Sequence, residues 1–200
     1  TILYIGCGDG DVLLALAQKN IKYGLGIDFS INAINDCKNK LKLSGLNNCQ
    51  FICEDASSIN NINKTFDYVI LNDITEHISD KELSKLFINL KKFINTKSEI
   101  LIHTPNGMAL CNNTDIDLFQ RIRILLKKLQ GWKGYHWTVD ELYYLQVHIN
   151  VKSYRQLKSF LKKLGFKSKV IYDEPFLYFK PFSYLFSSNM LIIAKLINNK

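Results

Sequence analysis

The stretch TILYIGCGDGDVLLALA, residues 1–17, decides how the rest of the sequence is interpreted. An apolar run, Ile2–Ile5, leads into three glycines with the spacing Gly-x-Gly-x-Gly, and an apolar segment with helical periodicity follows. A buried strand, a glycine-rich turn and the start of a helix form the unit with which many α/β folds hold a nucleotide. The stretch therefore predicts a nucleotide-type site at residues 6–10.

The first half of the sequence continues the alternation of strands and helices. Its strand-like runs are apolar throughout, which is typical of parallel strands that are covered on both faces. The sequence thus predicts a doubly wound α/β domain whose ligand lies at the carboxyl ends of the strands. The predicted strands are Ile2–Gly6, Tyr23–Asp28, Cys49–Asp55, Phe66–Asp73 and Glu99–Thr104, the last stopped by Pro105, with two late strands at Lys169–Asp173 and Asn189–Leu196.

Capping residues mark where helices begin and end. Ser30 can cap the helix after the second strand, and Gly45 stands where that helix would stop. Capping boxes that begin at Ser79 and Ser153 predict two further helix starts.

Composition limits the compartment and the kind of site. Of the 200 residues, 47% are hydrophobic, yet no apolar run reaches the roughly 18 residues that a membrane span needs. The five cysteines form no CxxC pair and no Cys/His cluster with zinc spacing. The sequence therefore predicts one cytoplasmic domain with reduced thiols and no metal site. Because the chain opens directly within a strand, we also expect no signal peptide and expect that N-terminal residues are missing.

The net charge of +8 is concentrated in the second half of the chain. Residues 1–120 contain 11 Lys and Arg against 14 Asp and Glu, whereas residues 121–200 contain 15 against 4. A helix predicted at residues 115–131 and the basic stretch Arg121–Gly134 carry much of this charge beside apolar side chains. This pattern suits an anionic partner or a membrane surface, and an ordinary solvated amphipathic helix explains it as well.

The glycine turn differs from the dinucleotide fingerprint GxGxxG. Asp11 stands at the position of the third fingerprint glycine, and Asp9 lies inside the turn. Two acids suit a diphosphate poorly, because a helix N-terminus holds a pyrophosphate through its positive partial charge. The turn therefore favours a cofactor with a cationic or zwitterionic group, although a purely structural tight turn would also need glycines.

Two more acids end the next two strands. Asp28 follows the glycines by about 20 residues, where a carboxylate can accept hydrogen bonds from both hydroxyls of a ribose. The alternative for Asp28 is an acid that only stabilises a helix N-terminus. Asp55 ends the third strand, where it can accept a hydrogen bond from an adenine amino group or cap the segment that follows.

Together, the GxGxG turn, the acid after the second strand, the Asp-Ala pair after the third and the late pair of strands resemble the class I S-adenosylmethionine-dependent methyltransferases. The resemblance implies a mostly parallel seven-stranded sheet of order 3-2-1-4-5-7-6, with its last strand antiparallel and helices on both faces. That family commonly has one or two helices before the first strand, and the resemblance implies that these N-terminal helices are missing here. It also implies S-adenosyl-L-methionine as the cofactor and S-adenosyl-L-homocysteine as the product.

The same resemblance implies which residues contact the cofactor. The methionine part would lie on the glycine turn, the ribose against Asp28, and the adenine against Asp55 and Ala56. The full predicted cofactor site is Gly6, Cys7, Gly8, Asp9, Gly10, Asp28, Phe29, Asp55, Ala56, Asn72 and Asp73.

Three segments are similar to a narrower group, the small-molecule methyltransferases that include ubiquinone-pathway O-methyltransferases. They are LNDITEHISD at residues 71–80, IHTPN at residues 102–106 and HINVKSYRQLKSFLKKLGF at residues 148–166. This resemblance implies methylation of an oxygen on a small-molecule, glycan or lipid-linked acceptor.

We expect one domain over residues 1–200, of which residues 1–105 bind the cofactor. Residues 106–150 and 174–188 are expected to be inserts that cover the acceptor. The second insert, EPFLYFKPFSYLFSS, is aromatic and can also dip into a membrane surface. The predicted location is therefore the cytoplasm, with a peripheral membrane contact as an alternative.

Histidines are the side chains that can remove a proton from an acceptor near neutral pH. His77 follows the fourth strand, near the expected position of the methyl group, and His136 lies in the first insert. These two are the predicted catalytic residues, and a histidine packed at a helix start is the structural alternative for His77. His103 is a further candidate base, and His148 is expected to have a structural or covering role.

The residues leave other functions open. The segment after the fourth strand reads NDIT and lacks the prolines of the DNA and RNA amino-methylating relatives, so a nucleic-acid acceptor is not expected. A non-catalytic cofactor- or partner-binding domain of the same fold is one alternative. A nicotinamide-dependent oxidoreductase is the other, although the spacing of the glycines argues against it.

Overall fold

The computed structural model describes residues 1–59, 62–107, 148–172 and 189–197. These residues form seven strands and four helices, which alternate over most of the chain. In chain order they are β1 (Ile2–Ile5), α1 (Asp11–Gln18), β2 (Gly24–Asp28), α2 (Ile31–Ser44), β3 (Cys49–Cys53), β4 (Tyr68–Asn72), α3 (Asp80–Leu90), β5 (Glu99–Pro105), α4 (Tyr154–Lys163), β6 (Phe166–Tyr172) and β7 (Asn189–Leu196).

The strands form one sheet in the order β3-β2-β1-β4-β5-β7-β6, which confirms the predicted fold class and strand order. Strands β1 to β5 are parallel, and β7 runs antiparallel to both β5 and β6. Ile5 at the end of β1 pairs with Ile27 of β2 and Leu71 of β4. The strand order reverses between β1 and β4, so the residues that follow Ile5 lie at a topological switch point.

Alternate residues of the central strands face two hydrophobic cores. On one face, Leu3 packs in a core with Leu86 of α3 and Leu161 of α4, which we call the α3/α4 core. On the other face, Tyr4 packs in a core with Leu13 of α1, which with α2 forms the α1/α2 core. All four residues of β1 are buried, so the strand that leads into the glycine turn is held on both faces.

Two strand predictions are corrected by the structure. The fourth strand was expected over Phe66–Asp73 without alternation, but β4 covers Tyr68–Asn72, and its burial alternates: Val69 and Leu71 are fully buried, whereas Tyr68 is 44% exposed. The fifth strand does not stop before Pro105 but includes it, and Pro105 pairs in register with Asn189 of β7. A proline can occupy this last position because it lacks only the N–H that an interior ladder position would need.

The sixth strand begins three residues earlier than predicted, at Phe166 instead of Lys169. Gly165 follows α4 with a φ of 81°, and this left-handed residue turns the chain directly into the strand. Exposed lysines at 167 and 169 alternate with inward residues in β6. Because those lysines interrupt the apolar run, its beginning was not visible in the sequence. The other strand ends agree with prediction or differ from it by one or two residues.

Several predictions concern residues outside the described ranges. They are the helix at residues 115–131, the basic stretch Arg121–Gly134, and most of the two expected inserts, 106–150 and 174–188. Within the described part of the chain, no helix has both the length and the apolar character that crossing a bilayer requires.

Candidate functional site

The glycine turn connects the carboxyl end of β1 with α1. Gly6, Gly8 and Gly10 have φ angles of 65°, 52° and 79°, in the left-handed region that residues with a Cβ rarely adopt. A Cβ on Gly6 would come within 2.4 Å of Ile74, and one on Gly10 within 2.7 Å of Cys37. A Cβ on Gly8 would meet no heavy atom of the described residues within 4 Å. Gly8 is therefore the part of the turn that a ligand can approach closely.

The Asp28 carboxylate closes this turn from the end of β2. Its Oδ2 accepts a hydrogen bond from the Gly8 N–H at 2.9 Å, and its Oδ1 accepts one from the Ser30 N–H at 2.9 Å. Only 8% of Asp28 is exposed, so both charge-assisted bonds form where water is largely excluded. Each oxygen keeps capacity for a second donor, which leaves the expected ribose contact open. The bond to Ser30 shows directly that Asp28 also stabilises the start of α2.

The two acids of the turn are paired with a lysine. Lys40 Nζ lies 3.2 Å from Asp9 Oδ2 and 2.5 Å from Asp11 Oδ1. The backbone N–H of Asp11, followed by the Lys40 ammonium, lowers the pKa of Asp9 below its usual value. Lys40 offsets much of the negative charge on the turn. The two acids are therefore weaker evidence for a cationic cofactor group than the sequence indicated. The expected preference for a cationic cofactor group stays a prediction.

Cys7 contributes only its backbone to this edge of the sheet. Its side chain is buried in the α1/α2 core, and its N–H donates to the Ile27 carbonyl at 3.0 Å. Burial raises the pKa of the Cys7 thiol well above its usual value, so the thiol stays neutral at physiological pH. The Cys37 thiol donates to the Gly8 carbonyl at 3.1 Å and supports the turn from the same core. Any contact of Cys7 with a cofactor would thus involve main-chain atoms.

The residues after β2 and β3 differ in exposure. Phe29, directly after Asp28, is 83% exposed, and Ala56 packs partly buried against the α3/α4 core. Asp55 Oδ1 accepts the Ser57 N–H at 2.7 Å, and Oδ2 accepts the Ser57 hydroxyl at 3.0 Å. The structure therefore shows Asp55 in the capping role that was one of its two expected roles. Its exposed carboxylate still lies at the same edge as Asp28, because β2 and β3 are adjacent and parallel.

At the carboxyl end of β4, Asp73 pairs with His103 of β5. Asp73 Oδ1 lies 2.7 Å from His103 Nδ1, and the Asp73 N–H donates to the His103 carbonyl at 3.0 Å. The Asn72 amide donates to the other Asp73 oxygen at 2.8 Å. Asp73 has a φ of 54°, a conformation that Asp adopts more readily than most residues. The structure thus joins the predicted cofactor residues Asn72 and Asp73 to the candidate base His103.

Glu76 is a buried carboxylate that the sequence analysis did not assign to the site. Its exposure is 0%, and the Thr104 hydroxyl donates to its Oε2 at 3.0 Å. Its Oε1 is buried and accepts no hydrogen bond from the described residues. Burial raises the pKa of Glu76 above its usual value, and the charge of Asp73 acts in the same direction. The signal that could have identified it is an acid directly before His77, a few residues beyond a buried strand.

His77 and His148 lie against each other beside Glu76. Their ring centroids are 4.6 Å apart, with 37° between the ring planes. His77 is exposed and precedes Ser79, the N-cap of α3, by two residues. The contact between the two rings was not predicted, since the sequence indicated only a structural or covering role for His148. His136, the other predicted catalytic residue, lies outside the described residues.

Comparison with known proteins agrees with this geometry. Residues 2–97, which contain β1 to β4 and the glycine turn, match the family model described as a methyltransferase domain. The chain has the class I methyltransferase fold. These comparisons support S-adenosyl-L-methionine, the cofactor expected from the sequence. PKMT2, a Rickettsia typhi protein of this fold, has a structure in complex with AdoHcy.

Solved structures of the same fold cover nearly the whole chain. PKMT2 from Rickettsia typhi is 18% identical with a TM-score of 0.68, over 100% of this chain and 50% of that chain. A S-adenosylmethionine-dependent methyltransferase from Clostridium acetobutylicum ATCC 824 is 15% identical with a TM-score of 0.67, over 98% of this chain and 84% of that chain.

One curated relative is similar in sequence. The zinc finger CCCH domain-containing protein 24 of Arabidopsis thaliana is 28% identical over 124 residues, which are 60% of this chain and 15% of that protein. The chain therefore spans a small part of the Arabidopsis protein and half of PKMT2. The comparisons support the methyltransferase fold and its cofactor, while the narrower ubiquinone-pathway group and the acceptor stay predictions.

Proposed function

We propose that this chain is an S-adenosyl-L-methionine-dependent methyltransferase that acts on an oxygen of a small-molecule, glycan or lipid-linked acceptor. The observation that carries the proposal is the hydrogen bond from Gly8 to Asp28 at the switch point of the 3-2-1-4-5-7-6 sheet. The match of residues 2–97 to a methyltransferase domain supports it.

Under this proposal, the cofactor lies along the carboxyl ends of β1, β2 and β3. The methionine part would approach the backbone at Gly8, where a Cβ would meet open space. The ribose hydroxyls would donate to the lone pairs that Asp28 does not use for the turn. Phe29 would cover one face of the adenine, since its ring is exposed beside Asp28. Asp55 would accept a hydrogen bond from the adenine amino group.

For methyl transfer the protein has two tasks, to align the acceptor with the methyl group and to remove a proton from the acceptor. The sulfonium of the cofactor makes its methyl group electrophilic, and the acceptor oxygen must approach that carbon in line with the C–S bond. An alcohol acceptor must also lose its proton, which a histidine near neutral pKa can accept. His77 and the Asp73–His103 pair are the described groups at this edge that could do so. In the pair, the Asp73 carboxylate would stabilise the imidazolium that forms.

Ligand binding and methyl transfer test this proposal in two steps. Calorimetry should show that S-adenosyl-L-homocysteine binds the chain and that NAD does not, and thermal unfolding should show stabilisation by the first ligand only. Incubation with methyl-labelled cofactor and fractionated cell extract should then label an acceptor through an oxygen. Stabilisation by NAD alone would identify an oxidoreductase, and cofactor binding without transfer to any fraction would favour the non-catalytic alternative.

The same assay can also identify the chemical class of the acceptor. Extract is separated into water-soluble small molecules, glycans and lipids before labelling, so the labelled fraction identifies the acceptor class. Vesicles of anionic lipid added to the assay test the alternative of a peripheral membrane contact. Label in a nucleic-acid fraction alone would contradict the proposed acceptor class.

A further inference from the structure

Three side chains of the types that bind metal ions converge beyond the carboxyl end of β4. One potential ligand atom from each of Glu76, His77 and His148 lies within 4.8 Å of the other two. We propose that these residues bind one divalent transition-metal cation. The sequence predicts no metal site because no Cys/His cluster has zinc spacing, whereas this cluster combines two segments that are distant in the chain.

The buried Glu76 carboxylate is the observation that points to a ligand. Its exposure is 0%, and its Oε1 has no hydrogen-bond partner among the described residues. A buried carboxylate oxygen without a donor is unfavourable, and a bound cation would compensate for the missing donor. The hydroxyls of Thr104 and Thr75 donate to the other oxygen at 3.0 and 3.4 Å. Such outer hydrogen bonds orient a carboxylate that binds a metal.

Hydrogen bonds hold the two segments of the cluster together. The Asn150 N–H donates to the Glu76 carbonyl at 2.9 Å, and the Asn150 side-chain amide donates to the Ile78 carbonyl at 2.7 Å. Lys152 Nζ forms an ion pair with Asp80 at 2.6 Å. These contacts fix the segment that carries His148 beside the segment that carries Glu76, so the chain's own hydrogen bonds hold the proposed ligands close together.

The donor set limits the kind of ion. Two imidazoles and one carboxylate suit Zn²⁺, Mn²⁺, Fe²⁺ and Co²⁺, and they leave coordination positions for water or an acceptor oxygen. Metal–ligand distances of about 2.0–2.2 Å place bound atoms roughly 3–3.5 Å from one another. Small side-chain rotations would therefore close the observed spread of 4.8 Å. Mg²⁺ prefers an oxygen shell with several waters and should bind more weakly.

The role of the ion in catalysis rests on the proposed methyltransferase function. A divalent cation lowers the pKa of an oxygen acid that binds it, so an acceptor hydroxyl at the cluster would lose its proton to water more easily. The acceptor oxygen then forms the new C–O bond while the C–S bond of the cofactor breaks, and the sulfur keeps that electron pair. His77 would thus position the acceptor as a metal ligand and would not act as the general base.

Metal binding can be measured without any methyl transfer. The full chain, freed of any histidine tag, is treated with EDTA, dialysed and titrated with Co²⁺, whose visible absorption reports nitrogen ligation. We expect one Co²⁺ per chain, displacement by Zn²⁺, and Mg²⁺ binding that is at least about tenfold weaker. If the wild-type chain binds neither Co²⁺ nor Zn²⁺ stoichiometrically, the proposal is wrong.

Matched variants assign the ligands. Glu76→Gln and His148→Ala should each weaken Co²⁺ binding by at least about tenfold. The control Glu82→Gln makes the same chemical change on an exposed glutamate of α3 and should leave Co²⁺ affinity unchanged. Equal Co²⁺ affinity in the wild type and in both cluster variants overturns the assignment.

The affinity for S-adenosyl-L-homocysteine separates this proposal from the proposed function. A wild-type chain that binds S-adenosyl-L-homocysteine but not Co²⁺ would overturn only the metal site. A chain that binds Co²⁺ at the cluster but not S-adenosyl-L-homocysteine would overturn only the methyltransferase proposal. The same measurement shows whether Glu76→Gln and His148→Ala remain folded, and the wild-type titration stays decisive if they do not.

Discussion

The carboxylate of Asp28 accepts a hydrogen bond from the backbone N–H of Gly8 at 2.9 Å and thereby ties the end of β2 to the middle of the glycine turn. Its other oxygen accepts the Ser30 N–H, which couples the turn to the start of α2. One buried acid therefore sets the geometry of two neighbouring segments at the switch point of the sheet. Substitutions of Gly8 and of Asp28 can therefore test the two residues separately.

Gly8→Ala should weaken cofactor binding by more than its loss of stability explains. The φ of 52° at Gly8 would strain an alanine by about 1–2 kcal/mol, and the new methyl group would occupy the space that the ligand approaches. Gly45→Ala is the matched control, because Gly45 has a φ of 67° and similarly open surroundings at the end of α2. Urea unfolding should show similar losses in both variants, and calorimetry should show weaker S-adenosyl-L-homocysteine binding only for Gly8→Ala. Equal affinities in the two variants would contradict the proposed approach of the ligand.

Asp28→Asn should lower both stability and cofactor affinity. The amide replaces one acceptor oxygen with a donor that faces a backbone N–H, which should cost about 1–3 kcal/mol in the free energy of unfolding. Asp36→Asn removes the same charge from an exposed position of α2 and should change stability by less than about 0.5 kcal/mol. Chemical denaturation and S-adenosyl-L-homocysteine titration measure the two effects, and a variant as stable as the control would show that the turn does not depend on Asp28.

Asp55→Ala should remove selectivity for the amino group of the adenine base. In the wild type, an S-adenosyl-L-homocysteine analogue with a carbonyl in place of that amino group should bind at least about tenfold more weakly, because two acceptors would then face each other. The variant should bind both ligands similarly. An unchanged preference for the adenine ligand in Asp55→Ala would indicate that Asp55 only caps its own turn through Ser57.

Ser79→Ala should lower the free energy of unfolding by about 1 kcal/mol, because it removes the N-cap of α3. The Ser79 hydroxyl accepts the Glu82 N–H at 3.3 Å and donates to the Glu82 carboxylate at 2.7 Å. Ser84→Ala is the control, because the Ser84 hydroxyl donates to the Asp80 carbonyl within the helix and alanine favours helices. Equal losses in the two variants would show that the capping box contributes nothing specific.

The effect of Ser79→Ala should depend on pH. The Ser79 hydroxyl, followed by the Ser79 N–H, lowers the pKa of Glu82 below its usual value, so this interaction stabilises the fold above the unfolded-state pKa of about 4.3. It is lost as the pH falls through the lowered folded-state pKa. The difference in the free energy of unfolding between wild type and Ser79→Ala should therefore have its full value at pH 7 and become smaller in acid. A difference that grows in acid would contradict this sign.

Much of the site could be predicted because its parts follow strand ends. The glycine spacing placed the turn after β1, and Asp28 and Asp55 followed from where the next two apolar runs stop. Parallel strands end at one edge, so residues at those ends lie together without any knowledge of side-chain contacts. The same logic located His77 and Asn72–Asp73 at this edge.

Other features depended on contacts that no local pattern encodes. Lys40 of α2 pairs with both acids of the turn, a contact that residue spacing does not indicate. The pairing of Asp73 with His103 depends on the parallel register of β4 and β5. The early start of β6 at Phe166 was hidden because exposed lysines alternate with its inward residues.

The sequence by itself determined the order of the elements, the class of the fold and the glycine turn, because burial periodicity, caps and positive-φ glycines are local properties of the chain. The tertiary structure alone decided that Glu76 is buried with an oxygen that has no hydrogen-bond partner among the described residues, and that His148 packs against His77 beside it. The physical reason is that a side chain's partners are set by how distant segments pack. The hydrogen bonds of Asn150 to the chain around Glu76 bring those segments together, and the spacing of residues in the sequence does not predict these bonds.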